Sequence, residues 1–415
     1  MYARDEENTE NDTEEDTLDD RQRWSPATKD RVLGQNATPT PARTRWISKA
    51  FVRLLATNMA FGFSLSCFYL LPKHLTVTYA ATPGTIGAVM GIFGLTCVLI
   101  VPWLGRAVHG LGLGRAITLA LVLMAASCLA FTLLESVGPA MLVLRALQGL
   151  ATGIIMTAAV AMVCELAPAQ RLGQAMGLAG AASLIMSAVA PAIAEPIGAR
   201  FGFRWVFAMS GLSALVGFWI ARGLPSHRAV TGKSSRVSIS RRARLVLLSL
   251  ALSGAGFNVV MTFLAPLAMS HDVRTVSGFF AAYTLAALAI RILGHAFTER
   301  LGLRRTAVLS TALYGTAIAC IAAVGPHSMV ALGLVFGLAH GALFPALMAL
   351  LFQDAEPAER AKLAAFSNGV MNLGMVTVLG FGQLANHFGL VAVFLATGTL
   401  VAASAVLSTS PRGSL

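Results

Sequence analysis

The feature that most constrains this chain is a series of apolar runs, each roughly 20 residues long, that begins after Thr44. An α-helix of this length crosses about 30 Å of hydrocarbon. The chain is 56% hydrophobic and only 12% charged, against about 25% charged residues in a typical soluble domain. We therefore predict an all-α membrane protein with twelve transmembrane helices, at about 46–71, 84–103, 116–135, 139–163, 173–194, 205–222, 245–268, 277–297, 306–323, 329–352, 363–386 and 388–408.

The basic residues between these runs predict the orientation of the chain. Of the 31 lysines and arginines, 20 fall on one side of the predicted spans and four on the other. Cytoplasmic loops carry the excess of Lys and Arg, so both termini are predicted to be cytoplasmic and the protein to lie in the inner or plasma membrane. The bases are spread over loops that join spans, so we do not expect nucleic acid as a partner.

The chain ends and the middle connection differ in composition from the spans. Residues 1–40 hold 11 of the 19 acidic residues and no apolar run, which predicts a disordered tail rather than a signal or transit peptide. The predicted organisation is a tail (1–44), a six-helix bundle (45–221), a basic cytoplasmic linker (222–244), a second six-helix bundle (245–409) and a short tail (410–415).

Short segments of the first half recur in the second half at a nearly constant offset. "GLGLGR" at Gly110 corresponds to "RLGLRR" at Arg300, and "GLATG" at Gly149 corresponds to "GLAHG" at Gly337. "PAQR" and "PAER" form a third pair, and "FGFRWVF" and "FGLVAVF" a fourth. Four matches in the same order indicate an internal duplication of six helices.

The architecture of six helices, a basic linker and six more helices resembles the major facilitator superfamily. The resemblance implies two pseudo-symmetric bundles around a central cavity, with transport by rocking of one bundle against the other. Span 1, "TNMAFGFSLSCFYLLPKHL", and span 5 look like the drug and sugar efflux branch. We expect a monomeric, lipid-embedded secondary transporter that exports a small organic molecule, with protons as the coupling ion. An importer and a non-transporting sensor or scaffold remain the alternatives.

The loop after span 2, "GRAVHGLGLGR", is similar to a signature of that family, with His109 where the family usually has an aspartate. Such a loop implies a cytoplasmic gate whose charges cap neighbouring helices, although a solvated loop histidine is an alternative. The second copy and the loop after span 4 supply further charges. The predicted gate residues are Gly105, His109, Gly112, Arg115, Glu165, Arg171, Glu299, Arg300, Gly302 and Arg304.

Span 5, "GLAGAASLIMSAVAPAIAEPIG", is similar to a small-residue and proline motif of family exporters. Small residues allow close packing of helices, and Pro191 loosens the helix. Glu195, near the end of the span, is interpreted either as a proton carrier or as an interfacial acid.

The stretch "LVLRALQGLATG" places Arg145 inside span 4, and Gln148 and Thr152 follow on the same side of the helix. A charge at this depth normally faces a cavity or a partner, although an arginine six residues from the span end can also snorkel to the headgroups. The sequence resembles the family's span-4 motif, which implies that Arg145 supports substrate or proton binding.

Other polar residues within spans complete the predicted site. Substrate or proton binding is assigned to Asn58, Asn258 and His340 in the cavity-lining spans, and to Arg291 in span 8. No acid lies within spans 1, 4, 7 or 10 away from their ends, which favours a neutral or partly anionic solute. The five cysteines lack metal-ligand spacing and no nucleophile–base set lies at membrane depth, so no metal, cofactor or enzymatic activity is expected.

Overall fold

A computed structural model describes residues 47–100, 110–226, 240–353 and 357–409, and within these ranges every regular element is helical. The helices are α1 (Lys49–Cys67), which a 3-10 turn (Phe68–Leu70) joins to α2 (Leu71–Tyr79), α3 (Pro83–Leu99), α4 (Leu113–Ala130), α5 (Pro139–Leu166), α6 (Leu172–Phe201), α7 (Phe203–Ala221), α8 (Arg241–Ser270), α9 (Ser277–Leu301), α10 (Leu303–Ile321), α11 (Met329–Phe352) and α12 (Pro357–Ser404).

Each predicted span overlaps at least one of these helices, with ends that differ by several residues. Eight helical stretches in the described part of the chain are long and apolar enough to cross a membrane, and α3 and Ser277–Leu293 are shorter apolar helices. The first span is α1 and α2 together, and the ninth is α10. The last two spans form the single helix α12, which is interrupted by non-helical backbone at Gly389.

Four glycines with positive φ mark equivalent turns in the two halves. Gly112 and Gly202 have φ of 80° and 93°, and Gly302 and Gly389 have φ of 79° and 81°. Each of them directly precedes a helix or, at Gly389, the last helical segment. Glycine adopts this backbone without the steric cost that a Cβ brings. The internal duplication is therefore visible in the backbone as well as in the sequence.

The same helix pairs also pack closely in both halves. A Cβ added to Gly149 of α5 would lie 2.2 Å from the carbonyl oxygen of Phe93 in α3. A Cβ added to Gly337 of α11 would lie 2.3 Å from the carbonyl oxygen of Tyr283 in α9. The glycines shared by the two copies thus let paired helices approach closely, and the fold is two pseudo-symmetric helical bundles.

The two ends of the molecule are named here by their residues. The Lys73 face carries Lys73 and the turn at Gly202, and the sequence predicts it to be external. The linker face carries the turn at Gly112 and the connection that follows Ala221. Among the described residues, the halves contact each other most extensively where α3 meets α12 and α6 meets α9, and also where α8 meets α2 and α3.

Candidate functional site

A cavity of about 70 Å³ lies between the two halves. Aromatic and methionine side chains dominate its wall, and Arg145 is the one charged residue among those lining it. The lining residues are Leu65, Phe68, Tyr69, Met90, Phe93 and Arg145 from the first half, and Phe257, Asn258, Met261, Thr262, Met375 and Val378 from the second.

Arg145 is held in the cavity wall by neutral groups. Its side chain is buried, with 2% exposure, and does not snorkel to the surface. Nε donates to the carbonyl oxygen of Val89 at 3.3 Å, and Nη2 approaches the sulfur of Met90 at 3.6 Å. The guanidinium stacks over the ring of Phe93, 4.4 Å from its centroid. These contacts orient the cation without neutralising it.

Gln148 connects Arg145 to a polar cluster inside the first half. Its Oε1 accepts from Nη1 of Arg145 at 2.8 Å, and its Nε2 donates to the sulfur of Cys128 at 3.5 Å. Ser210 lies 3.4 Å from the same sulfur and donates to the carbonyl oxygen of Ser64 at 2.8 Å. This cluster links spans 1, 3, 4 and 6 and fixes the rotamer of Gln148, which in turn positions Arg145.

The second half supplies uncharged polar groups to the opposite wall. Asn258 donates from Nδ2 to the carbonyl oxygen of Gly254 at 2.8 Å. Its Oδ1 and the hydroxyl of Thr262 have no hydrogen-bond partner among the described residues, and both side chains line the cavity. The two halves therefore present a cation on one side and hydrogen-bonding groups on the other.

Three predicted site residues lie elsewhere in the fold. Thr152 is buried and does not line the cavity, and its hydroxyl has no partner in the described part of the chain. Asn58 is buried in α1, also away from the cavity lining. Arg291 is exposed on the surface of α9.

His340 belongs to an aromatic cluster behind the cavity. Its Nδ1 lies 3.2 Å from the hydroxyl of Tyr283, and its ring stacks on Phe257 with centroids 5.0 Å apart. Nε2 is buried and has no partner within the described residues. Of these rings, only Phe257 lines the cavity, so His340 contacts the site through it.

Glu195 ties the two halves together at the Lys73 face. Its carboxylate accepts from the backbone N–H of Val276 at 3.0 Å and of Ser277 at 2.7 Å, at the start of α9. Lys73 of α2 donates to the same carboxylate at 2.5 Å and also bonds the carbonyl oxygen of Arg274. A carboxylate at a helix N-terminus satisfies unpaired N–H groups and complements the helix dipole. In this conformation, Glu195 is therefore a buried acid that links the two halves.

Asn386 makes the equivalent contact in the opposite direction. Its Oδ1 accepts from the backbone N–H of Gly84 at 2.8 Å, in the first turn of α3. In each half, then, the fifth span or its counterpart caps a helix of the other half. We call these two contacts the crossed caps.

A stripe of glycines extends the contact between α3 and α12. Gly84, Gly87, Gly91 and Gly94 recur at helical spacing along one side of α3. A Cβ on Gly87 would lie 2.7 Å from the carbonyl oxygen of Val378 and 2.9 Å from Cα of Gly382. The backbones touch along this stripe, so the two halves are closed against each other on this side of the cavity.

The predicted gate on the linker face is only partly described. Gly105 and His109 lie outside the described residues, and so does the side chain of Glu299. Gly112 and Gly302 form the positive-φ turns that precede α4 and α10. Arg115, Glu165 and Arg300 of the predicted gate are exposed. Arg171 lies 3.5 Å from Gln174, and Arg304 donates to the carbonyl oxygen of Ser408.

The small residues of span 5 pack less closely than the sequence motif suggests. Pro191 is buried within α6, but a Cβ on Gly177 or Gly180 would meet no described atom within 4 Å. The same holds for Gly369, the counterpart of Gly180 in α12. These three glycines thus have space around them, whereas the glycine stripe of α3 is in contact with α12.

Sequence reasoning missed the partners of Glu195 and most of the cavity wall. Lys73 is one of the four bases on the predicted external side of the spans, and neither Lys73 nor Asn386 lies in a sequence motif that indicates its partner. In the sequence, nothing distinguishes Phe93, Phe257 and Met375 from the other apolar residues of the spans. The glycine spacing in "PGTIGAVMGIFG" was a detectable signal for the contact between α3 and α12.

Comparison with known proteins establishes the class. The chain belongs to the Major Facilitator Superfamily, which it matches over residues 54–270 and 246–412. A search of curated proteins found no match. A solved mutant of the nucleoside transporter NupG is similar with a TM-score of 0.74 at 14% identity, covering 87% of this chain and 99% of that one. A mutant of the peptide transporter POT in complex with sulfate has a TM-score of 0.72 at 13% identity, covering 87% and 94%.

The solved structures show the fold, and the family match together with the apolar helices shows a multi-pass membrane protein of a transporter family.

Proposed function

We propose that this protein is a secondary active transporter that exports a small organic solute in exchange for protons by alternating access. The observation that carries the proposal is a cavity between two pseudo-symmetric halves whose wall is built by both. The crossed caps join the two halves at the Lys73 face, and these side-chain contacts can separate. Such contacts are what rocking of one half against the other has to break and remake.

Glu195 is the proposed proton carrier. When the Lys73 face opens, its carboxylate leaves Lys73 and the N-terminus of α9. Opening therefore removes both the charge partner and the hydrogen bonds of the Glu195 carboxylate. Proton uptake on the predicted external side and release on closure would couple proton entry to solute exit.

Export is supported by the exporter-like pattern in span 5 and by the span 1 resemblance to the drug and sugar efflux branch. With the predicted orientation, the described conformation is closed to the outside, and it would take up solute from the cytoplasm. Import and a non-transporting scaffold are the outcomes that the experiment must separate.

The test is reconstitution of the full chain in liposomes with a pH-sensitive dye inside, followed by a screen of organic solutes of different charge. The proposal expects solute-dependent proton movement that Arg145→Ala abolishes. Solute flux that is independent of a proton gradient contradicts antiport. Absence of flux for every solute favours the scaffold.

A further inference from the structure

The guanidinium of Arg145 is a buried cation with no counterion in the described part of the chain. Its three recorded acceptors are a backbone carbonyl, an amide oxygen and a thioether sulfur. An isolated charge at membrane depth is costly, and such residues normally pair with an opposite charge or line a cavity. A carboxylate ligand would supply the missing counterion.

The Nη2 group of Arg145, whose acceptor is a thioether sulfur, lies at the cavity wall. Nη2 points to Met90, and both residues line the cavity. Thioether sulfur is a weak acceptor, so a carboxylate oxygen that replaces it gains a charge-assisted hydrogen bond. Two of the five N–H groups of Arg145 have no partner among the described residues, which leaves donors for a second oxygen.

The rest of the wall selects the remainder of the ligand. Aromatic rings and methionines surround the cavity, and their flat and polarizable surfaces suit an apolar, planar body. Opposite Arg145, the unpaired Oδ1 of Asn258 and the hydroxyl of Thr262 can bind one polar substituent. None of the described residues that line the cavity is acidic, so a cationic solute has no anionic partner among them.

We propose that the transported solute is an amphipathic organic anion, with a carboxylate bound by Arg145 and an apolar, ring-containing body between the aromatic and methionine side chains of the two halves. This inference rests on the proposed transport function, because it assigns the substrate class of the same cavity. It makes Arg145 the specificity-determining residue and Gln148 a positioning residue.

Gln148 offers a test that leaves the size of the side chain unchanged. Gln148→Glu puts a carboxylate about one hydrogen bond from Nη1 of Arg145, where the amide oxygen now lies at 2.8 Å. This internal counterion competes with a bound carboxylate but not with an uncharged ligand. Arg145→Gln removes the cation itself, and Arg145→Lys keeps the charge without the planar pair of donors.

The experiment measures ligand-induced shifts in melting temperature of the purified full chain. The probes are aromatic and branched aliphatic carboxylates, beginning with 2-naphthoate, each with its neutral amide and its methylammonium analogue. We expect carboxylates to bind more tightly than their amides and amines, and the preference to fall by about 10- to 100-fold in Arg145→Gln and Gln148→Glu. Arg145→Lys should retain part of it.

Amide affinity that stays unchanged in the variants shows that they are folded and that only charge recognition is lost. Equal or tighter binding of the amines or amides, or no carboxylate binding in the whole panel, overturns the proposal. Counterflow in liposomes separates this result from the transport function. Transport of neutral or cationic solutes alone supports the transport function and refutes the anion site. Carboxylate binding without any transport supports the anion site and refutes the transport function.

Discussion

The carboxylate of Glu195 lies 2.7 Å from the backbone N–H of Ser277, although 82 residues separate them and they belong to different halves. Lys73 approaches the same carboxylate from a third helix. Also on the Lys73 face, Oδ1 of Asn386 in the second half accepts from the backbone N–H of Gly84 in the first half. The crossed caps are therefore two quasi-equivalent contacts between the halves at the Lys73 face, one charged and one neutral.

Removing the charged fastening should open the Lys73 face. Glu195→Ala deletes an acceptor of charge-assisted hydrogen bonds, each with a net value of about 1.5–3 kcal/mol. We expect the ratio of closed to open molecules to fall by at least about tenfold. Pulsed electron spin resonance between labels at Val77 and Phe388, both exposed on this face, measures the distance. The exposed Cys164 and Cys320 are replaced by alanine beforehand. An unchanged distance distribution would show that Glu195 does not hold this face shut.

Exchanging the two charges should not restore closure. In the double variant Lys73→Glu and Glu195→Lys, the ion pair is reversed but an ammonium group now faces the N–H groups of Val276 and Ser277. It cannot accept from them, and the helix dipole repels it. The same label pair should report an open face. A closed face in the double variant would mean that the ion pair alone matters.

Bulk at the glycine stripe should prevent close contact of α3 and α12. A methyl group on Gly87 would meet backbone atoms of Val378 and Gly382 at 2.7 and 2.9 Å, and backbone cannot move aside cheaply. Gly87→Ala should shift molecules to the open Lys73 face and slow transport. Gly138→Ala is the matched control, because a Cβ there meets no described atom within 4 Å. Equal effects of both substitutions would refute the role of the stripe.

Replacing His340 should leave proton coupling intact. Its buried Nε2 has no partner in the described part of the chain, and its ring is packed among aromatic side chains behind the cavity. His340→Phe loses one hydrogen bond to Tyr283 and removes an unpaired buried nitrogen, so we expect stability to change by less than about 1.5 kcal/mol. Solute-driven acidification in liposomes should persist in His340→Phe and disappear in Glu195→Gln. The opposite pattern would make His340 the proton carrier.

Much of the fold could be predicted because its signals are local. Runs of about 20 apolar residues specify membrane helices, and the turns at Gly112 and Gly302 lie in matching segments of the duplicated sequence. The break at Gly389 is a single residue between two apolar runs, and the helix continues on both sides of it.

The candidate site was only partly predictable because its contacts are distant in sequence. Arg145 and Gln148 are three residues apart, and helical spacing alone brings them together. The ion pair between Lys73 and Glu195 spans 122 residues, and nothing local to either residue indicates the other. Thr152 shares a helix side with Gln148, yet the cavity ends before it, since its extent depends on packing of both halves.

The central claim is that the two halves alternate between two arrangements around one cavity, one closed at the Lys73 face and the other closed at the linker face. It is tested most directly by spin-label distances on both faces of the same protein, with Val77 and Phe388 on the Lys73 face and Leu111 and Leu301 on the linker face, all exposed. We predict that Glu195→Ala lengthens the first distance and shortens the second in the same preparation. Distances that lengthen together, or a linker-face distance that does not respond, would contradict alternating access.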